Sequence, residues 1–140
     1  MKQLLLILSI ALLTVGSGIS QNRYSEDEVN TYNGIKVLKS DSTPVNGIVY
    51  SEYDNGQLMW EYNYKDGKED GLSRWWHENG QLEWEQNYKD GKKDGLYRYW
   101  HNNGQLWWEE NYKDGKEDGL LKRWYENGQL EWEGNFKDGK

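Results

Sequence analysis

Cysteine is absent from the 140 residues, and proline and phenylalanine each occur once. Without cysteine there is no disulfide, no thiol nucleophile, no cysteine-ligated zinc and no lipid anchor on a cysteine behind a leader. Basic residues are the minority, 17 against 24 acidic, for a formal net charge of −7. Such a surface repels phosphate backbones and anionic lipid, so neither nucleic acid nor an acidic membrane is expected as a partner. Long apolar runs are nearly absent too. The one run, Leu4 to Val15, is too short to span a bilayer. With Lys2 ahead of it and Gly18-Ile19-Ser20 behind, it reads as a signal peptide over 1–20, cleaved after Ser20. The expected destination is the periplasm, cell envelope or extracellular space, and the chain is not a lipoprotein. An exported fold without staples has to hold itself by packing.

Aromatic residues are what the chain has to pack with: nine Trp and eleven Tyr. They come in a repeating phrase. Asn-Gly pairs at Asn55-Gly56, Asn79-Gly80, Asn103-Gly104 and Asn127-Gly128 are 24 residues apart, as are Asp-Gly pairs at Asp66-Gly67, Asp90-Gly91, Asp114-Gly115 and Asp138-Gly139. A fixed period of this size marks a stacked array whose units do not fold alone. The units are 47–70, 71–94, 95–118 and 119–140, preceded by an acidic spacer and a shorter, degenerate capping copy over 21–46. Turn signals about every twelve residues, with alternating segments such as Leu82 to Tyr88 between them, predict strands, and no stretch has the spacing of an amphipathic helix. The fold class is therefore all-β, a single-layer antiparallel meander of tandem hairpins.

Three-residue loops at both corners keep one alternation running through the array, with glycine at the left-handed last position. A loop of Glu78-Asn79-Gly80 puts Trp76 opposite Leu82 and Arg74 opposite Trp84, and a loop of Lys89-Asp90-Gly91 puts Trp84 opposite Leu96. The even-numbered residues, including Leu58, Trp60, Leu72, Trp76, Leu82 and Trp84 and their counterparts, then form the dry face. Arg74, Arg98 and Lys122 lie on it opposite Trp84, Trp108 and Trp132, a geometry that suits cation–π pairs.

The phrases Tyr125 to Lys140 (YENGQLEWEGNFKDGK) and Trp76 to Gly95 (WHENGQLEWEQNYKDGKKDG), with their sister copies, resemble MORN repeats, specifically the bacterial variant of YwqK-like proteins. The resemblance covers about 47–140. It implies an extended, twisted array of hairpins and a scaffolding or interaction role, and it brings the antitoxin label that YwqK-like proteins often carry.

No catalytic motif emerges, and no cofactor or metal is expected. His77 and His101 occupy equivalent strand ends, about 9–10 Å apart across one intervening strand, too far to share a metal. Glu83 and Glu85 superficially suit a glycosidase pair, but Glu61, Glu85, Glu109 and Glu133 recur in every unit, which suits a solvated column rather than one active site. The Asp66 to Gly71 run lacks calcium-loop spacing and reads as a turn. Residues that break the pattern are more informative. Trp75, Tyr97, Tyr99, Trp107 and Leu121 are large and odd-numbered, so the register places them on the wet face, with Trp75 and Tyr97 across from Glu83, Tyr99 across from Trp107 and Trp107 across from Leu121. Together with Glu83 they form the candidate binding patch. Expected partners are a protein, or another copy of the chain through the apolar face or the C-terminal edge strand Leu130 to Phe136. A glycan or cell-wall ligand is the alternative, and an antitoxin or immunity role the third reading.

Overall fold

The computed structural model describes residues 21–140; the predicted leader lies outside the described residues. Thirteen strands follow one another: β1 (Arg23–Ser25), β2 (Val29–Tyr32), β3 (Ile35–Leu38), β4 (Gly47–Glu52), β5 (Leu58–Lys65), β6 (Lys68–Glu69) and β7 (Gly71–Trp76). Then come β8 (Leu82–Lys89), β9 (Lys92–Trp100), β10 (Leu106–Lys113), β11 (Lys116–Glu117), β12 (Gly119–Trp124) and β13 (Leu130–Phe136). Among the described residues there is no α-helix, only a 3-10 turn at Glu26–Glu28. Eleven strands form one sheet in the order β1-β4-β5-β7-β8-β9-β10-β12-β13, with β6 on β5 and β11 on β10. Every pairing in it is antiparallel except β1 with β4. The expected all-β meander is the fold.

The register departs from the expected one at two places in each unit. The Asn-Gly corner is the three-residue loop anticipated: His77 and Gln81 exchange a backbone bond at 2.8 Å, and Trp76 pairs with Leu82. Asn side chains hold these loops, the Oδ1 atoms of Asn55, Asn79, Asn103 and Asn127 each accepting the amide two residues on at 2.9–3.0 Å. Immediately beyond, however, one residue is skipped. Trp75 pairs with Trp84, so Glu83 is a β-bulge, and Met59, Trp107 and Glu131 are bulged in the same way. The Asp-Gly corner is not a three-residue loop. Lys89 pairs with Lys92, and Asp90 and Gly91 both have positive φ (50° and 79°), the signature of a two-residue type I′ turn. Past that turn β9 carries two extra residues, since Tyr88 pairs with Lys93 but Gln86 with Tyr97.

A bulge shifts parity by one, so the even-odd rule fails and the faces regroup. One row runs Ser51–Trp60–Trp75–Trp84–Tyr99–Trp108–Arg123–Trp132, one residue per strand. On the opposite face the neighbouring row runs Tyr50–Glu61–Arg74–Glu85–Arg98–Glu109–Lys122–Glu133. Arg74, Arg98 and Lys122 thus sit across from carboxylates, not indoles, which corrects the cation–π expectation. Arg98 bridges Glu85 at 3.3 Å and Glu109 at 2.8 Å, and Arg74 bridges Glu61 at 3.4 Å and Glu85 at 3.6 Å. Leu72, Trp76, Leu82, Leu96 and Trp100, expected beside Trp84, share the charged face instead.

Units are tied at both corners. The amides of Gly67, Gly91, Gly115 and Gly139 each donate to a carbonyl 22 residues earlier, at 2.8–2.9 Å. At the other end the Tyr53 hydroxyl donates to the Trp76 carbonyl at 2.7 Å, and His101 Nε2 lies 3.2 Å from the Trp124 carbonyl. The clearest apolar core is at the N-terminal end. Val29, Val45 and Val49 are buried against Tyr24, Leu38, Trp60 and Tyr64, with the β2–β3 hairpin tied to the first unit by the Lys36 amide on the Gly67 carbonyl at 2.8 Å.

Candidate functional site

The bulges set which side chains leave the regular alternation, because a bulged residue projects where its neighbours do not. The bulge column reads Met59, Glu83, Trp107 and Glu131. At Trp107 it presents an indole that is 37% exposed, in contact with Tyr99 at 5.3 Å (edge-on, 78°), His101 at 5.8 Å and Trp108 at 6.2 Å. Tyr99 is the hub. Its hydroxyl donates to Glu83 Oε1 at 2.6 Å, and Glu83 Oε2 lies 3.5 Å from His77 Nδ1. The hydrogen bond to Glu83, helped by burial, pushes the Tyr99 phenol up to about 12.

Of the residues singled out in the sequence, Glu83, Tyr99 and Trp107 are brought together, although Tyr99 pairs in register with Trp108 and meets Trp107 beside it. The other three are elsewhere. Trp75 is a rung of the aromatic row, stacked on Trp84 at 6.2 Å and 27° and 6.4 Å from Trp60. Tyr97 lies deeper on the same face, 6.4 Å from Trp84, its phenol raised first by burial and then by Glu110 and Glu83. Leu121 is 4% exposed and belongs to the interior. Their expected place on an outer wet face is corrected: the bulge in each hairpin shifts parity by one, so the odd residues of β7, β9 and β12 share a face with the even residues of β8, β10 and β13.

Other polar and charged groups on the sheet escaped the sequence reading. Glu110 is buried yet accepts from Trp108 Nε1 and the Tyr112 hydroxyl, both at 3.1 Å, and burial raises its carboxyl above the ordinary range. Burial raises Glu69 likewise. Lys93 holds its ammonium 5.0 Å from the Tyr97 ring and 4.6 Å from the Tyr112 ring. Its signal was visible: Lys93 stands where the neighbouring units have Glu69 and Glu117. Arg123 takes the place of a ring in the aromatic row, between Trp108 and Trp132, and donates to Glu131 at 3.0 Å. Among the described residues no three His, Asp or Glu side chains gather as a metal site.

Comparison with known proteins agrees with the period. The family model described as MORN repeat variant matches residues 45–66, 69–90, 93–114 and 117–138. No curated protein and no solved structure matches the chain.

Proposed function

The chain belongs to the MORN repeat variant family, whose repeats are generally protein- or membrane-interaction modules, and from that premise we propose that it is an exported, non-enzymatic module that docks a protein through the surface around Trp107. One observation carries this reading. In the bulge column the third unit replaces Met59, Glu83 and Glu131 with an indole, and that indole stands 37% exposed in mid-array, where a large aromatic ring makes the best anchor. The acidic surface favours a protein over an anionic bilayer. Leu120, Leu130 and Trp132, exposed in the last unit, offer a further contact to a partner or to a second copy. The Asn-Gly-Gln-Leu and Lys-Asp-Gly-Lys phrases support a place among YwqK-like members.

The glycan reading fares less well on geometry. A sugar site needs several open aromatic faces, whereas Trp60, Trp75 and Trp84 pack on one another at 6.2–6.4 Å, which leaves Trp107 to offer one alone. The test is a pull-down from envelope extract with the wild-type chain and Trp107→Ala, beside a peptidoglycan pellet. A protein retained by the wild type and lost by the variant, with no sedimentation on peptidoglycan, is expected. Equal retention by both, or pelleting with peptidoglycan, contradicts the reading.

A further inference from the structure

We infer that the Glu83–Tyr99–Trp107 cluster receives a lysine or arginine side chain carried by an extended basic segment of the partner; this rests on the docking role proposed above and narrows it to one chemistry. Trp107 meets Tyr99 edge-on at 78° and is inclined to Trp108 by 56°, so its π-face is not closed by a parallel neighbour as the faces of Trp75 and Trp84 are. At 37% exposure the indole has surface left for a cation, which its π-system attracts. On the other side of Tyr99, Glu83 is fixed in place by the 2.6 Å hydrogen bond it accepts, and a carboxylate has further lone pairs with which to accept from an ammonium or guanidinium. Indole and carboxylate flank Tyr99 on its two sides, one strand apart from it on either hand, so a basic segment laid across the strands meets an aromatic contact and an acidic one, and the net charge of −7 draws such segments toward the cluster.

The chain itself contains both kinds of contact, a guanidinium on a bulge carboxylate and cations on aromatic rings. At the same point of the fourth unit Arg123 sits in register between Trp108 and Trp132, ion-paired to the bulge carboxylate Glu131. On the same face Lys93 lies against Tyr97 and Tyr112. Elsewhere Arg23 covers the Tyr50 ring at 5.0 Å. Where Arg123 fills the position in the fourth unit, the third unit has Tyr99, and among the described residues no guanidinium is paired with Glu83 beside it. Phosphate-bearing ligands are disfavoured by Glu83.

The probe is a tetra-arginine peptide added to the full chain and followed through the tryptophan indole NH signals, the Trp107 resonance being identified by its loss in Trp107→Phe. The Trp107 signal is expected to move on titration, and Trp107→Ala and Glu83→Gln each to weaken binding by roughly tenfold. A tetra-glutamate peptide and phosphatidylserine vesicles should leave the signal in place. Glu26→Gln, the same change of net charge far from the cluster, should bind as wild type, and circular dichroism of each variant reports on folding. If Glu26→Gln weakens binding as much as Glu83→Gln, the attraction is general charge and the inference fails. It fails equally if the Trp107 signal does not move. Should the pull-down partner still depend on Trp107 in that case, docking stands and only the basic-segment assignment is overturned.

Discussion

Trp75 and Trp84 face each other directly across one hairpin, ring centroids 6.2 Å apart and planes 27° apart. This pairing exists only because Glu83 is bulged out between Leu82 and Trp84. Had the strand run on without the bulge, Arg74 would stand opposite Trp84 and the array would have neither its aromatic row nor its charged row.

Trp84 touches Tyr62, Trp75 and Tyr97, whereas Trp107 projects from a bulge and is 37% exposed. Trp84→Ala should lower stability by about 3–5 kcal/mol, as for other packed aromatics, while Trp107→Ala should change it by less than about 1 kcal/mol. Urea denaturation of the two variants separates these roles, and a larger loss at Trp107 would place it in the core.

The charged row links strands across unit boundaries through arginines that are 37–39% exposed and glutamates that are 12–26% exposed. Arg98→Leu removes contacts to both Glu85 and Glu109, and should cost about 1 kcal/mol at low salt. In 1 M salt most of the difference from wild type should vanish, because screening has already weakened the pairs. A loss independent of salt would mean that Arg98 contributes through packing alone.

Gly67 and Gly91 occupy the same turn position in successive units, with φ of 74° and 79°. A Cβ at Gly91 meets nothing nearer than 3.9 Å, whereas at Gly67 it would collide with the Ile35 side chain and approach the Lys36 carbonyl to 2.6 Å. Gly91→Ala should cost about 1 kcal/mol for the left-handed backbone, and Gly67→Ala about 1–3 kcal/mol more for the clash. Equal losses in thermal melts would remove the 21–46 segment from the edge of the first unit.

Burial pushes the Tyr88 phenol up to about 12, and the Glu83 hydrogen bond does the same for Tyr99. Burial also raises Tyr64 and Tyr112. An unfolded tyrosine ionises near 10. The fold therefore favours the neutral phenols, their contribution is complete below about pH 10, and it is lost as pH rises from about 10 to 12. Tyrosinate absorbance and loss of β-sheet circular dichroism should rise together in that window. Ionisation near pH 10 with the sheet intact would show these phenols to be solvated.

Residues 1–20 carry the export reading. Sequencing the N-terminus of protein recovered from cell fractions should give Gln21-Asn22-Arg23 in the envelope or medium. Recovery of an intact Met1 species in the cytoplasm would contradict it.

The repeat, its period, the strands and the Asn-Gly corners were legible in the sequence because each rests on local chemistry: an Asn side chain closing its own turn, a glycine at positive φ, alternation between turns. The register was not. A bulge at Glu83 leaves no local mark, since Met59, Glu83, Trp107 and Glu131 have no shared chemistry and nothing but the partner strand requires the extra residue. Both turn lengths suit Asp-Gly, and only long-range pairing chose the shorter. Misplacing one residue per hairpin sent Leu121 to the surface and Arg98 onto an indole. Trp107 kept its exposed position for a reason the alternation did not contain: it is the bulge itself.

The most direct test replaces position 107, and separately position 122, with the photo-crosslinking residue p-benzoylphenylalanine in cells, followed by irradiation and recovery of the chain. Docking through the Trp107 surface predicts a discrete protein adduct from position 107 and none from position 122 on the charged face. An adduct from position 122 with none from position 107 would contradict it.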